Sequence, residues 1–412
     1  MNRKLWTLRY AIVNITYFAA FCGVHAYAAV YLLDKGFTNT QVGILLAVAN
    51  VLSVILQPIV AGIIDKPGKL SNRIVVMIAT ILMMAGCGLL YIVGNNFVAV
   101  FIIYALIYMV QMGYQPMMIA MNFEYQKAGC RINFGLARGL GSAGFAVTSA
   151  FMGNAVRNFG VNVILAVNIA VLAVSLIVVY FFKKPGTDDS TGTSVAMQAG
   201  EYGNGGDENS VAHNNIIEFV RYYPAFTVML IGVAFLFFAH NAINDFLIQI
   251  VRNMGGDESQ MGYANFLQAI LELPMMAMVA SIIKKTGSGF LLSFSAVFFT
   301  LKVLIMYASK GLVGMFISQS FQFFAYAVLI PTAAIYVTEK LEELDQVKGQ
   351  ALINCAITVG GVFSNLTCGK ILDVYGVKRM LLIGLIVSIV GTVLVVCALY
   401  SKGEVRKGER TQ

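Results

Sequence analysis

Charged residues are scarce in this chain. Asp, Glu, Lys and Arg together make up 12% of its 412 residues, whereas ordinary soluble domains carry roughly 25%. Hydrophobic residues, in contrast, make up 58%. A soluble protein needs a polar surface that such a chain cannot supply, so the composition excludes a soluble globule and indicates an integral membrane protein.

The residue types that build many catalytic and metal sites are also rare. There are three histidines and six cysteines, and no cysteine pair has the spacing of a zinc site or a disulfide framework. The chain contains no His-Glu-x-x-His motif and no phosphate-binding glycine loop. We therefore expect no metal, no cofactor and no enzymatic activity. The net charge of +8 comes without a basic face interleaved with aromatics, so we expect no nucleic-acid partner.

Long apolar runs, in contrast, recur along almost the whole length. Each run exceeds the length of about 18 residues that suffices to cross a bilayer as a helix. We predict twelve membrane-spanning helices, called spans one to twelve, at 10–33, 40–64, 74–94, 97–121, 134–156, 160–182, 225–251, 261–283, 288–308, 311–337, 350–372 and 379–400. The first run is too long for a cleavable leader and continues the pattern.

A polar stretch rich in Gly, Ser, Asp and Asn separates spans six and seven. It cannot bury apolar surface and is typical of a flexible linker. We therefore divide the chain into an N-terminal six-helix bundle (1–184), a cytoplasmic linker (185–218) and a C-terminal six-helix bundle with a short cytoplasmic tail (219–412).

The basic residues predict the orientation in the membrane. Nineteen lysines and arginines fall on the side of the termini, and seven fall on the opposite side: Lys35, Arg157, Arg252, Lys310, Lys370, Lys378 and Arg379. Because cytoplasmic loops carry the excess of positive charge, both termini are predicted to be cytoplasmic. We expect a multi-pass protein of the plasma membrane, in a bacterium the inner membrane.

The two bundles are related by an internal repeat with a constant offset of 216 residues. The matching landmarks are Pro58 and Pro274, Gly144 and Gly360, Gly153 and Gly369, and Gly160 and Gly376, with Gly43 and Gly262 joining after a three-residue gap. Two such repeats in parallel orientation are typical of transporters that bind their solute near the bilayer midplane and expose it to each side in turn.

Polar residues inside the spans are few, and most follow helical spacing. They are Asn241, Asp245 and Gln249 with His240 and Asn244 in span seven, Asn265, Gln268 and Glu272 in span eight, Lys302 in span nine, Gln319, Gln322 and Tyr326 in span ten, and Asn354 and Thr358 in span eleven. Such stripes predict a polar cavity, although a lone Asn or Gln is more readily explained by interhelical hydrogen bonding.

Charges at membrane depth are costly and are typical of functional sites. We therefore assign proton coupling to Asp245, Glu272, Lys302 and His240, with Lys302 pairing one carboxylate and leaving the other able to take a proton. His25 occupies the equivalent part of span one. Each of these two histidines either binds solute, relays a proton or packs.

Span five begins with an arginine among small residues. Arg138 by itself is explained as a snorkelling side chain or a charge of the cytoplasmic side. Its neighbours Gly135, Gly139, Gly141 and Gly144 allow close helix packing, so the guanidinium can enter a cavity and offer forked donors to hydroxyls or a carboxylate.

This stretch resembles the major facilitator superfamily and, within it, the lactose permease branch of oligosaccharide/proton symporters. That branch carries Gly-x-Ala-Arg-x-x-Gly-x-x-Gly-aromatic-Ala on helix five, matched here by Gly135, Ala137, Arg138, Gly141, Gly144, Phe145 and Ala146. The resemblance implies an all-α membrane fold of twelve helices in two six-helix pseudo-repeats. It also implies that Arg138 binds sugar hydroxyls and that Phe145 stands where the family's tryptophan stacks on the sugar ring.

A second stretch, from Gly62, is similar to the superfamily's loop between helices two and three. Gly62 and Asp65 fit the pattern, and Gly68 comes one residue early. The resemblance implies that this loop gates the conformational switch.

The chain departs from the branch in its second half. The family's proton-binding pair on helix ten is replaced by Gln322 and Ala325, and its helix-nine arginine by Lys302. Glu272 matches the sugar-binding glutamate of helix eight, and Glu124 is the candidate for the acid of helix four. By the resemblance, proton coupling uses Glu272, Asp245 or a histidine.

These observations predict a monomeric secondary transporter that imports a sugar, an oligosaccharide or a similar small polar metabolite together with protons. The predicted solute-binding residues are Arg138, Phe145, Glu272, Asn241, Gln268, Gln322 and His25. The alternatives are a nucleoside importer or a drug exporter of the same superfamily, and a transporter-like sensor that binds without moving its ligand.

Overall fold

A computed structural model describes residues 3–64, 70–184 and 216–400. Asp65 and most of the predicted linker lie outside the described residues. Secondary structure in these ranges is helical, as the long apolar runs predict.

The helices of the first half follow the predicted spans. They are Arg3–Phe21 and Ala28–Asp34, joined by a π-helical turn at Cys22–Ala26 (span one), Asn39–Ile64 (span two), Asn72–Val93 (span three), Phe97–Gly113 and Gln115–Lys127 (span four), Phe134–Phe159 (span five) and Val163–Phe181 (span six).

The second half repeats the arrangement. Its helices are Ile216–Tyr222, then Pro224–Asn244 and Leu247–Asn253 (span seven), Glu258–Thr286 (span eight), Ser288–Ala308 (span nine), Leu312–Ser320, the 3-10 turn Phe321–Phe323 and Tyr326–Lys340 (span ten), a 3-10 turn at Glu343–Asp345, and Gln346–Tyr400. The last helix contains both span eleven and span twelve, because Gly376 interrupts it with a φ of 78°.

Local sequence explains where several helices begin. The side chains of Ser71, Asn96 and Asn133 each accept a hydrogen bond from the backbone N–H three residues on, at the starts of spans three, four and five. The first N–H groups of a helix have no partner within the helix, and short polar side chains of this kind satisfy them.

Ten helices in the described ranges are long and apolar enough to cross a membrane. One of them, Glu343–Tyr400, holds two spans on either side of Gly376. The 26-residue helix Phe134–Phe159 has the length of a span but carries more small and polar residues than the others. With these two corrections the twelve predicted spans are accounted for.

The repeat landmarks occupy equivalent places in the structure. Pro58 and Pro274 each lie inside a long helix. Gly160 and Gly376 both have positive φ, at 80° and 78°, just after span five and span eleven. These two positions need glycine because other residues adopt this backbone conformation at a cost. The two halves are therefore pseudo-repeats in three dimensions as well as in sequence.

Spans one, four, seven and ten are each interrupted. The breaks fall at Cys22–Tyr27, Tyr114, Asp245–Phe246 and Phe321–Ala325. At membrane depth, non-helical backbone is tolerated only where it is buried in protein or lines a water-filled cavity. Backbone groups at these breaks bond to neighbouring spans: Val24 O accepts from the Tyr104 hydroxyl at 2.9 Å, and Ala325 O accepts from Ser295 Oγ at 2.7 Å.

The described residues form two compact units that do not coincide with the sequence halves. The first contains 3–64 and 70–184 together with Asn244–Ile270 and Asn365–Val374, and the second contains 216–243, Leu271–Ser364 and 375–400. Parts of spans seven, eight and eleven thus pack with the first half of the chain.

Candidate functional site

Arg138 lies on span five where that helix packs closely against span one. A Cβ placed on Gly141 would come within 2.7 Å of the Phe18 ring, so only glycine allows this contact. The guanidinium of Arg138 lies 4.1 Å from the centre of the same ring, a distance typical of a cation–π interaction. Its Nη1 donates to Ser142 Oγ at 3.1 Å. The arginine is thus held by a ring and a hydroxyl, and it is half-buried.

Aromatic rings continue from this point along span one. Phe21 stacks on His25 with ring centres 4.0 Å apart and an interplanar angle of 12°. Phe145 of span five lies 6.2 Å from Phe21, and Tyr108 of span four lies 3.8 Å from His25. Three predicted solute-binding residues, Arg138, Phe145 and His25, are therefore brought onto one arginine-aromatic surface within the first unit.

Span one is held to span four by polar contacts one turn before its interruption. Tyr17 donates its hydroxyl to the carbonyl of Gln111 at 3.0 Å, and Gln111 Nε2 donates to the carbonyl of Tyr17 at 3.2 Å. His25 Nε2 is buried and has no hydrogen-bond partner in the described part of the chain. Because a buried polar atom without a partner is unfavourable, this nitrogen is suited to bind a solute group.

Asp245 lies at the interruption of span seven, within the first unit, and is half-buried. The break separates it from the regular helix that was predicted to carry Asn241, Asp245 and Gln249 on one face. Gln249 instead donates to Asn39 Oδ1 at 2.8 Å, and Asn241 packs on Gly361 in the second unit. The three residues therefore do not form one continuous stripe.

The second unit contains a chain of three polar side chains from successive spans. Lys302 of span nine donates from Nζ to Gln322 Oε1 at 2.7 Å, and Gln322 of span ten donates from Nε2 to Glu272 Oε1 of span eight at 2.9 Å. Lys302 and Gln322 are each 1% exposed. Lys302 was predicted to pair with a carboxylate; its Nζ instead donates to an amide, which joins it to Glu272.

His240 lies in an aromatic cage of the second unit. Its ring stacks on Tyr326 at 5.5 Å with an interplanar angle of 13°, and it meets Phe237 and Phe299 edge-on.

Gln268, one turn before Glu272 on span eight, is buried, and its Oε1 has no partner within the ranges described.

The remaining predicted residues lie elsewhere. No atom outside span two comes close to Gly62 in the region that the structure describes, so packing does not explain this glycine. Glu124 forms an ion pair with Lys184 at 2.9 Å and accepts from Asn72 Nδ2 at 3.1 Å. This carboxylate therefore joins the ends of spans three, four and six. Within residues 3–64, 70–184 and 216–400, no group of three or more His, Cys, Asp or Glu could hold a metal ion.

The chain belongs to the MFS_1 like family, which it matches over residues 7–383. It therefore has the major facilitator fold of secondary transporters. No curated protein matches the chain.

Solved structures with the same fold cover nearly the whole chain. A point mutant of the nucleoside transporter NupG is 14% identical with a TM-score of 0.75, over 96% of this chain and all of that one. An auto inhibited POT family peptide transporter is 9% identical with a TM-score of 0.73, over 95% and 96%. A bacterial homolog to the human lysosomal transporter Spinster is 13% identical with a TM-score of 0.65, over 96% and 97%.

Proposed function

We propose that this protein imports a small polar solute of the sugar or nucleoside class together with protons. The observation that carries the proposal is the chain from Lys302 through Gln322 to Glu272. A buried cation is costly unless a partner compensates it. Of these three side chains, Glu272 is the one that is half-buried, so it is the one that a proton or a solute reaches.

The hydrogen bonds from Lys302 through Gln322 to Glu272 couple the binding of a proton to the binding of the solute. When Glu272 is ionised, it accepts from Gln322, whose amide oxygen then faces Lys302. A proton on Glu272 removes the charge that compensates Lys302, and a solute hydroxyl or carbonyl competes for the same amide. Binding of a proton and binding of a solute thus act on one hydrogen-bonded unit, as symport requires.

The arginine-aromatic surface of the first unit is by itself a second candidate surface for solute recognition. Arg138 offers forked donors to hydroxyl or carboxylate oxygens, and Phe145, Phe21 and His25 offer flat apolar faces to a ring. Sugars and nucleosides both present a ring with hydroxyls at its edge. The nucleoside class is the second candidate, because stacked aromatic rings of this kind favour a planar base.

The direct test uses the purified protein in liposomes. A panel of oligosaccharides and nucleosides is added outside while internal pH is recorded. We expect one compound to acidify the lumen, and we expect Arg138→Ala and Glu272→Gln to abolish the signal. Arg131→Ala and Glu343→Gln, which change exposed residues of the same types, serve as matched controls.

Other outcomes would change the proposal. Counterflow without acidification contradicts proton coupling and leaves solute transport in place. Saturable binding without counterflow favours a sensor, and proton-driven extrusion of an apolar cation favours a drug exporter.

A further inference from the structure

The end of span eleven is bound to the start of span two within the first unit. The carboxylate of Asp373 accepts four hydrogen bonds, two from Asn39 (backbone N at 3.1 Å, Nδ2 at 2.8 Å) and two from Thr40 (backbone N at 2.7 Å, Oγ1 at 2.6 Å). The first backbone N–H groups of a helix lack partners inside it and carry the positive end of the helix dipole. Asp373 therefore caps span two from a distant part of the chain.

Span two needs this partner because its own cap is incomplete. Thr38 and Gln41 exchange hydrogen bonds at 2.9 and 3.2 Å, and this satisfies the N–H of Gln41. The N–H groups of Asn39 and Thr40 are left to Asp373. The same hydrogen bonds therefore complete the start of span two and join it to span eleven.

The backbones of the two spans touch on either side of this cap. A Cβ on Gly43 would overlap the carbonyl of Asn365, and a Cβ on Gly369 would overlap the carbonyl of Asn39. Gln249 of span seven adds a hydrogen bond to Asn39 Oδ1. Moving the two spans apart breaks these contacts together, since a close-packed interface is not continuously deformable.

The repeat provides an internal comparison at spans five and eight. Gly153 and Gly262 approach backbone carbonyls of the facing span in the same manner. The position equivalent to Asp373, at the offset of 216, is Arg157, and it forms an ion pair with Asp257 at 3.3 Å with side chains 58% and 33% exposed. Such exposed pairs contribute little.

Span eight is also capped by its own chain. Asp257 Oδ1 accepts from the backbone N of Ser259 at 2.8 Å. The helix start at this second junction is therefore satisfied without the facing span. Both junctions contain a pair of closely packed glycines. Only at spans two and eleven does the helix cap come from the facing span.

We propose that Asp373 is a positioning residue that latches the start of span two to the end of span eleven. The latch sets the fraction of time during which these two spans are in contact. The proposal uses the transporter fold and does not depend on which solute is carried. When the spans separate, span two loses the cap for its first two N–H groups. Opening therefore costs the latch contacts and part of the helix start as well.

The test compares Asp373→Asn with Arg157→Gln at the equivalent position. Native Cys368 lies one residue before Gly369 and is fully buried, and Cys87 of span three is buried as a control. The full-length protein in liposomes is treated with a membrane-impermeant maleimide, and labelling of each cysteine is followed by peptide mass spectrometry. Hydrogen exchange of the peptide that contains Asn39 and Thr40 is measured in parallel.

An asparagine offers one acceptor oxygen where aspartate offers two, so about half of the latch is lost. At roughly tenfold per 1.4 kcal/mol, loss of a helix cap predicts Cys368 labelling about 3- to 30-fold faster in Asp373→Asn. We expect no change in Arg157→Gln and no labelling of Cys87 in either variant.

Two results would overturn the proposal. Faster exchange at Asn39 and Thr40 with unchanged Cys368 labelling would make Asp373 a local helix cap only. Equal acceleration in Arg157→Gln would mean that the two junctions do not differ. Neither result depends on transport, so a failure to find any transported solute would count against the proposed function and not against the latch.

Discussion

Replacing Glu272 by glutamine should destabilise the protein because it leaves a buried cation without compensation. Lys302 is 1% exposed and reaches Glu272 through Gln322. Removing one member of a buried ion pair costs about 3–5 kcal/mol, and we expect about 2 kcal/mol here because Glu272 is half-buried and water compensates part of the loss.

Removing the cation as well should restore most of this stability. Lys302→Met is one atom shorter and keeps most of the apolar stem, and it leaves Glu272 to the water that reaches it, so the single change should cost about 1 kcal/mol. In the double variant no buried charge remains. We therefore expect the double variant to be more stable than Glu272→Gln alone, with a coupling free energy of about 1.5–2 kcal/mol.

The assay is a double-mutant cycle on the purified protein in detergent. Free energies of unfolding are measured by chemical denaturation and compared with shifts of the melting temperature. Lys284→Met and Glu343→Gln change exposed residues of the same types and should be additive. Additivity within about 0.5 kcal/mol for Lys302 and Glu272 as well would refute the coupling through Gln322.

Three further predictions concern the first unit. Gly141→Val should cost about 1–3 kcal/mol of unfolding free energy and abolish transport, because a Cβ there meets Phe18 at 2.7 Å. Gly139→Ala, with no contact near its Cβ, should do neither; equal melting temperatures for the two variants would contradict the packing argument. Arg138→Lys should lower solute affinity about tenfold in a binding assay, since it loses the flat face on Phe18, and should leave the melting temperature nearly unchanged; unaltered affinity would remove Arg138 from the site. Lys184→Gln should cost about 1–3 kcal/mol in a denaturation experiment by breaking the largely buried ion pair to Glu124, with solute affinity unchanged; altered affinity would contradict a purely structural role for Glu124.

Much of the fold could be predicted from the sequence because hydropathy and length decide which segments cross a membrane. The offset of 216 also matched Gly160 with Gly376 as repeat landmarks, and the structure shows that both have positive φ. The interruptions of spans one, four, seven and ten could not be predicted. Only the break of span four has a proline beside it, Pro116, and a proline does not by itself mark a break, since Pro58 and Pro274 lie inside long helices. Backbone groups at the breaks bond to neighbours distant in sequence, as Val24 O does to the Tyr104 hydroxyl.

The candidate site, too, could be predicted only in part from the sequence. Glu272, Gln322 and Lys302 could each be chosen because polar groups at membrane depth are costly, but their order along one chain of hydrogen bonds depends on the packing of three spans. The sequence marks Arg157 only as a loop charge that reports orientation, and it does not single out Asp373. The roles of these two residues differ because Asp373 contacts the start of span two and Arg157 contacts the start of span eight. The sequence around each residue does not predict which helix start it contacts.

The chain of Glu272, Gln322 and Lys302 also has a consequence for how the protein is made. Spans eight, nine and ten are synthesised one after another, and a lysine at the centre of a helix costs about 2.5–3.5 kcal/mol during insertion. The carboxylate that compensates Lys302 belongs to the span synthesised immediately before it, and the amide that joins them follows in the next. The hydrogen-bonded chain is therefore complete only once span ten has been synthesised, and the three spans are suited to enter the bilayer as a group.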